Sequence, residues 1–280
     1  MMNQSLNHAM VDGGEARIAQ EYANNFGQPG FDDPSRMYIR QQYDGYTEEN
    51  QETWVRLYDQ QRAYLEENAS QVYLDGARAI KLVRDHIPHL DGERSINTYL
   101  GELTGWQSKP VPGYLPAKAF FACLSKREFP TTIVIRPLES INYLPEPDIF
   151  HDIYGHVPLH ADPVFADFLQ TYGKAALLTD DPQHTERLAR LFWFTVEFGL
   201  IQEAGRAKLY GSGLISSPGE SRNALESDEV ERRPFDLDRV CETSFEIDHY
   251  QPILYVLESF EQLRDGMTSY AERILEDAGV

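Results

Sequence analysis

The chain has 280 residues, enough for one large domain or two small ones around a sizeable core. A formal net charge of -20 and a pI near 4.7 exclude the basic surface that nucleic acid or an anionic membrane rewards. No apolar run nears the roughly 20 residues that span a bilayer, the first residues lack the pattern of a secretory leader, and Cys123 and Cys241 have no paired spacing, so a cytoplasmic protein without disulfides is expected.

Residues 1–45 are polar and carry turn formers at 27–30 and 32–35; they read as a loosely ordered extension ahead of a domain over 46–280. Thr47, followed by Glu48 and Glu49, predicts the cap and first turn of a helix whose apolar stripe is Trp54, Leu57, Tyr58 and Leu65. Further helices are predicted over 72–86 and 95–103, then a short one carrying Phe120, Phe121 and Leu124. His86 and His89, either side of Ile87-Pro88, read as loop residues rather than a metal pair. The β-branched run 131–135 is the clearest strand, and Arg136 follows it as either a surface cation or a clamp for a substrate carboxylate. Helices are predicted over 162–178 and 182–204, a strand over 206–210, and a charged loop over 221–240. A strand edged by Pro252 spans 245–256, and Ser259 caps a last helix that turns Phe260, Leu263, Met267, Tyr270 and Ile274 inward. With no repeat or linker in sight, the expected fold is a single domain, mainly α with a few short β-strands.

The chemistry concentrates in 144–163, where His151 and His156 stand five positions apart. Imidazole is the commonest ligand for divalent transition metals. On an α-helix five positions is about 140° of rotation, so the two rings would not share a face. A helix that ends near Gly155, ahead of Pro158, would let His156 swing back over His151. The third ligand is sought where a carboxylate breaks an apolar pattern. Glu197 lies within the stripe Trp193, Phe194, Leu200 and Ile201, and a buried carboxylate must be paired, protonated or on a metal. Two histidines and one glutamate suit non-haem Fe(II) and oxygen chemistry, and they also make catalytic zinc sites; residue type alone does not separate the two.

Three motifs carry a further signal: Pro145-Glu-Pro-Asp-Ile-Phe-His-Asp-Ile-Tyr-Gly-His-Val-Pro, Phe192-Trp-Phe-Thr-Val-Glu-Phe-Gly-Leu and Tyr210-Gly-Ser-Gly-Leu-Ile-Ser-Ser-Pro-Gly-Glu. In order and spacing they resemble the pterin-dependent aromatic amino acid hydroxylases, most nearly the bacterial phenylalanine-hydroxylating members, over about 46–263. The resemblance implies a mononuclear Fe(II) on His151, His156 and Glu197, with tetrahydrobiopterin or a related reduced pterin as electron donor and O2 as co-substrate. It implies hydroxylation of L-phenylalanine to L-tyrosine, with tryptophan or another ring position as the alternative within the family and a zinc hydrolase as the alternative outside it. It places Arg136, Pro147, Trp193, Ser216 and Ser217 around the aromatic amino acid, and Gly113, Leu115, Phe120, Asp152 and Phe192 around the pterin. Asp152, Leu144 and Phe192 stand where animal members carry glutamate, threonine and tyrosine. Ile247 is expected at the pocket wall, where an apolar residue disfavours tyrosine. The short segment ahead of the match, and the lack of a heptad-rich tail, give the expectation of a monomer without a regulatory domain.

Overall fold

Helices begin where the sequence offers a side chain to their first free amides. A computed structural model describes residues 12–142, 146–247 and 249–277. Asp12 caps α1 (Gly13–Asn24), Thr47 forms a capping box with Asn50 on α2 (Glu48–Asn68), and Ser70 and Ser95 cap α3 (Gln71–Ala79) and α4 (Ile96–Leu103). The stripe of α2 buries Trp54, Leu57 and Leu65 as expected. Helix α3 stops well short of residue 86, because the chain turns at Lys81, whose φ is 52°. His86 and His89 are thereby left on an exposed loop, with His89 stacked on Tyr43.

Strand β1 (Gln107–Val111), helix α5 (Ala117–Ser125) and strand β2 (Glu128–Thr132) follow, with β1 and β2 parallel from Gln107↔Glu128 to Val111↔Thr132. The predicted strand at 131–135 is therefore displaced towards the N-terminus: the ladder ends with Val111, and Ile133 and Ile135 go on as buried extended chain. Next come α6 (Pro163–Ala176), α7 (Pro182–Phe192), β3 (Leu200–Glu203), β4 (Arg206–Leu209), α8 (Ser212–Ser216) and α9 (Pro218–Glu226). The chain closes with β5 (Glu231–Pro234), α10 (Leu237–Glu242), β6 (Ile253–Leu257) and α11 (Phe260–Asp277). The helix expected over 182–204 is corrected. It ends by Glu197, and Leu200 and Ile201 are buried as strand residues, because Ala204 and Gly205, at φ 48° and 79°, turn the chain into a β3–β4 hairpin. The region 221–240 is ordered rather than loop-like. Of the strand expected over 245–256, Ile253–Val256 pair among the described residues and the strand runs on to Leu257; Pro252, with no amide to donate, stands at its edge. The four-stranded sheet has the order β4-β3-β6-β5, antiparallel at β3–β4 and parallel at the other two joins. A mainly helical fold with a few short strands is what the composition of elements led one to expect.

Around this frame Trp54, Trp106, Phe150, Phe165, Phe168, Tyr172, Phe194 and Tyr210 are fully buried. Each such ring contributes roughly 1.5–3 kcal/mol relative to an exposed one, and Trp54 and Trp106 meet the histidine-bearing stretch directly, at Phe150 and His160. A second, smaller core joins Tyr22, Ala23 and Met37 to Val111, Leu115, Ala119 and Cys123. Residues 12–45 are thus not a loose extension. Ala19, Tyr22 and Ala23 give α1 an apolar face that the turn-rich reading overlooked, and that face packs on the chain. Residues 1–11 lie outside the described residues.

Candidate active site

Both histidines belong to a π-helical segment, Phe150–His156. A π-helix closes its hydrogen bonds from i to i+5, so residues five apart stand one above the other. The imidazoles of His151 and His156 lie 4.9 Å apart at 88°. The helical backbone does not end at Gly155 but runs on through His156 into Val157, at φ -63° and ψ -33°, and the expected break is corrected. A wider helix, not a terminated one, brings the rings to one face. Gly155 serves close packing instead: a Cβ there would lie 3.0 Å from the Ser212 carbonyl and 3.1 Å from its Cβ. Its bare backbone lets α8 lie against the histidines.

Glu197 ends a second π segment, Trp193–Glu197. Its Oε2 lies 3.5 Å from His151 Nε2, and its Oε1 lies 3.2 Å from His156 Nε2. Two donors bound at about 2.0–2.2 Å to one ion sit about 3.0–3.4 Å apart, so these atoms can share a metal. Helix α8 ties two of the three donors together. The Ser212 hydroxyl donates to Glu197 Oε2 at 2.7 Å, and the Ser212 carbonyl accepts the Ser216 hydroxyl at 2.8 Å. With its proton so used, Ser216 Oγ accepts from His151 Nδ1 at 2.8 Å. That tautomer leaves the His151 Nε2 lone pair facing Glu197. Burial, opposed by the charge of Glu197, pushes the pKa of His151 down to about 4. Burial alone would raise the Glu197 carboxyl; the histidines and the Ser212 hydroxyl outweigh it and hold the pKa at about 2. A neutral imidazole beside an ionised carboxylate is the protonation state that a metal requires.

A competing donor set shares the histidines. His151, Asp152 and His156 have donor atoms within 4.8 Å of one another. Asp152 Oδ2, however, already accepts the Thr132 amide and the Thr132 hydroxyl, each at 2.6 Å. Burial pushes this carboxyl up to about 6, against the pull of His156 and Thr132. Glu197, facing both Nε2 atoms, is the better-placed third donor.

Arg136 is no surface cation. It is 8 % exposed, and its Nε and Nη2 fork onto Asp148 at 2.7 and 3.0 Å. Asp148 also accepts the His151 amide at 3.0 Å, which joins the guanidinium to the first histidine. Nη1 donates to the Ile141 carbonyl at 3.3 Å, leaving two of the five guanidinium N–H groups for a ligand. Trp193 is half-buried, stacked on Phe245 at 4.4 Å and donating from Nε1 to Gln251 at 2.9 Å. Phe120 stands edge-on to Phe192 at 5.5 Å, and Phe192 lies 6.3 Å from His156. Gly113 is half-buried, and Leu115 is buried in the smaller core. Pro147 is exposed on the approach, and the Ser217 hydroxyl oxygen accepts the Glu220 amide at the start of α9. Ile247, expected at the pocket wall, is 77 % exposed, so it does not select the substrate here. Leu144 lies outside the described residues.

Sequence reasoning missed Asp148, Ser212, Thr132 and Gln251. Asp148 stands three positions before His151, the spacing of a helix cap. Ser212 and Ser216 share a face at i and i+4. Thr132 and Gln251 carried no local signal.

Four likenesses bear on this site. The model of the family described as biopterin-dependent aromatic amino acid hydroxylase matches residues 40–280. Phenylalanine-4-hydroxylase of Mesorhizobium japonicum is 43 % identical over 229 residues, which cover 81 % of this chain and 82 % of that protein. Bovine tyrosine 3-monooxygenase is 39 % identical over 233 residues, 82 % of this chain but 46 % of that protein. The solved structure of Chromobacterium violaceum phenylalanine hydroxylase with bound iron(III) and 7,8-dihydrobiopterin is 36 % identical, with a TM-score of 0.81 and 93 % of each chain covered. By these matches the chain belongs to the biopterin-dependent aromatic amino acid hydroxylases.

Proposed function

We propose that the chain is an Fe(II)- and tetrahydropterin-dependent monooxygenase that converts L-phenylalanine to L-tyrosine with O2. The observation that carries this reading is the convergence of His151 Nε2 and His156 Nε2 on Glu197, at 3.5 and 3.2 Å. The donor set fits iron: two imidazole nitrogens and one carboxylate are the ligand set that leaves further positions open on the metal. Iron and a reduced pterin, when bound, supply the electrons and oxygen activation that an aromatic ring needs for hydroxylation.

The protein's own part is to hold and to exclude. Asp148 fixes the Arg136 fork so that its remaining N–H groups take the substrate carboxylate, with Ser216 and Ser217 beside it. Trp193 and Pro147 line the ring of the substrate. On the pterin side Phe120 offers a stacking face, with Gly113, Leu115, Asp152 and Phe192 around it. The buried aromatics about the histidines keep bulk water from the reacting groups. In this reading residues 46–280 are the catalytic domain, and a net charge of -20 keeps copies apart as cytoplasmic monomers.

The likeness to a tyrosine 3-monooxygenase gives tyrosine hydroxylation a place in the test. Purified protein with Fe(II), reduced pterin and O2 is given phenylalanine, tyrosine or tryptophan, and the products are separated. Tyrosine formed from phenylalanine, at a kcat/KM above that of the other two, is expected. Preference for another ring, or turnover that needs zinc and no oxygen, would overturn the reading.

A further inference from the structure

We propose that the N-terminal segment 12–39 is a working part of the cofactor site: it clamps the loop 112–116, and Gln20 is its positioning residue. The proposal rests on the reading of Gly113, Leu115 and Phe120 as pterin-facing residues. The segment lies ahead of the stretch that matches the family model, which starts at residue 40.

Gln20 Nε2 donates to the Tyr114 carbonyl at 3.1 Å and to Asn24 Oδ1 at 3.2 Å, so both amide protons are used and the group is oriented. Its Oε1 lies 3.8 Å from the place a Cβ would take on Gly113. The side chain therefore reaches along the loop, against two consecutive residues. On either side of the hydrogen bond the loop is pinned by apolar burial. Val111 and Leu115 pack with Tyr22, Ala23 and Met37, and the Ile39 amide donates to the Pro110 carbonyl at 2.9 Å.

Among the described residues, Gln20 makes the one side-chain hydrogen bond to residues 112–116. Tyr114 is 84 % exposed, so its ring anchors nothing. Helix α5, which carries Phe120, starts at Ala117 behind Pro116 with no side-chain cap. The N-terminal segment holds the loop from outside, while Lys118 at the start of α5 pairs with Asp180 at 2.8 Å. A loop held in place before the pterin arrives does not have to be ordered at its arrival, and that preorganisation appears as affinity.

The test compares Gln20→Leu and Gln20→Glu, the latter having the same shape without the donor. Three readouts are used: hydrogen exchange of the Gly113, Tyr114 and Leu115 amides in ligand-free protein, binding of 7,8-dihydrobiopterin, and the split between pterin KM and kcat. Both variants are expected to exchange faster at 113–115, to bind the pterin roughly three- to tenfold more weakly, and to raise the pterin KM while kcat at saturating pterin and the thermal midpoint hold. Unchanged exchange, or faster exchange with unchanged pterin affinity, overturns the clamp. Wild-type affinity in Gln20→Glu overturns the role of the hydrogen bond. Phe120→Ala separates the two levels. If it weakens pterin binding and Gln20→Leu does not, only the clamp falls; if neither variant does, the reading of the pterin site falls first.

Discussion

Ser216 Oγ lies 2.8 Å from His151 Nδ1 and gives its own proton to the Ser212 carbonyl, so the far nitrogen of the imidazole is left as a lone-pair donor. Ser216→Ala removes the acceptor that fixes this tautomer. Iron affinity is expected to fall about 10–100-fold, with the thermal midpoint little changed. Titration with Fe(II) under anaerobic conditions measures it. Wild-type affinity would show that Ser216 does not set the ligand state.

Arg136 and Asp148 form a pair with side chains 7 % and 4 % exposed. Asp148→Asn leaves the guanidinium buried without its counter-charge and is expected to lose about 3–5 kcal/mol of stability, read by urea unfolding. Arg136→Lys loses the fork and is expected to raise the KM for the amino acid about tenfold or more, with a smaller effect on kcat. An unchanged KM would remove Arg136 from substrate binding.

Glu220, in the first turn of α9, has a buried Oε2 without a hydrogen-bond partner among the described residues. Burial, only partly offset by the Gln251 amide, pushes its carboxyl from 4.5 up to about 7. The folded chain therefore keeps a proton that the unfolded chain releases, and stability falls as pH rises from about 4.5 through about 7. Glu220→Gln is expected to match the native protein at the acid end of that window and to melt higher at pH above it. Thermal midpoints across the window check this; parallel curves would show that Glu220 is ionised throughout.

Gly155→Ala places a methyl 3.0 Å from the Ser212 carbonyl. The backbone of α8 must shift, at a cost of about 1–3 kcal/mol, and the Ser212–Glu197 and Ser216–His151 hydrogen bonds shift with it. Lower stability and weaker iron binding are expected together. A loss of neither would mean that α8 can move freely without disturbing the donors.

These relationships were unequally legible in the sequence. His151, His156 and Glu197 could be picked out by residue type, because a carboxylate inside an apolar stripe and two nearby imidazoles need a reason to be there. Their geometry was not legible. The 3.6-residue period put the histidines on different faces, and the remedy drawn from it, a helix broken at Gly155, was wrong, because the i to i+5 pattern of the π segment leaves no mark in local propensity. Thr47 and Ser95 announced their helices, since caps are local. Strand β1 stayed hidden: it contains Pro110, and its partner β2 is reached only across α5. Arg136 could be read as a surface cation or as a clamp, and its buried partner Asp148 was not sought, although the cap spacing to His151 was present.

The most direct measurement is the iron content of two variants loaded with Fe(II) in parallel. Glu197→Gln removes the carboxylate that faces both Nε2 atoms; Asp152→Asn removes the other carboxylate beside the histidines. Loss of iron and of tyrosine formation in Glu197→Gln, with iron retained in Asp152→Asn, is expected. Iron retained without Glu197 and lost without Asp152 would contradict the site as described.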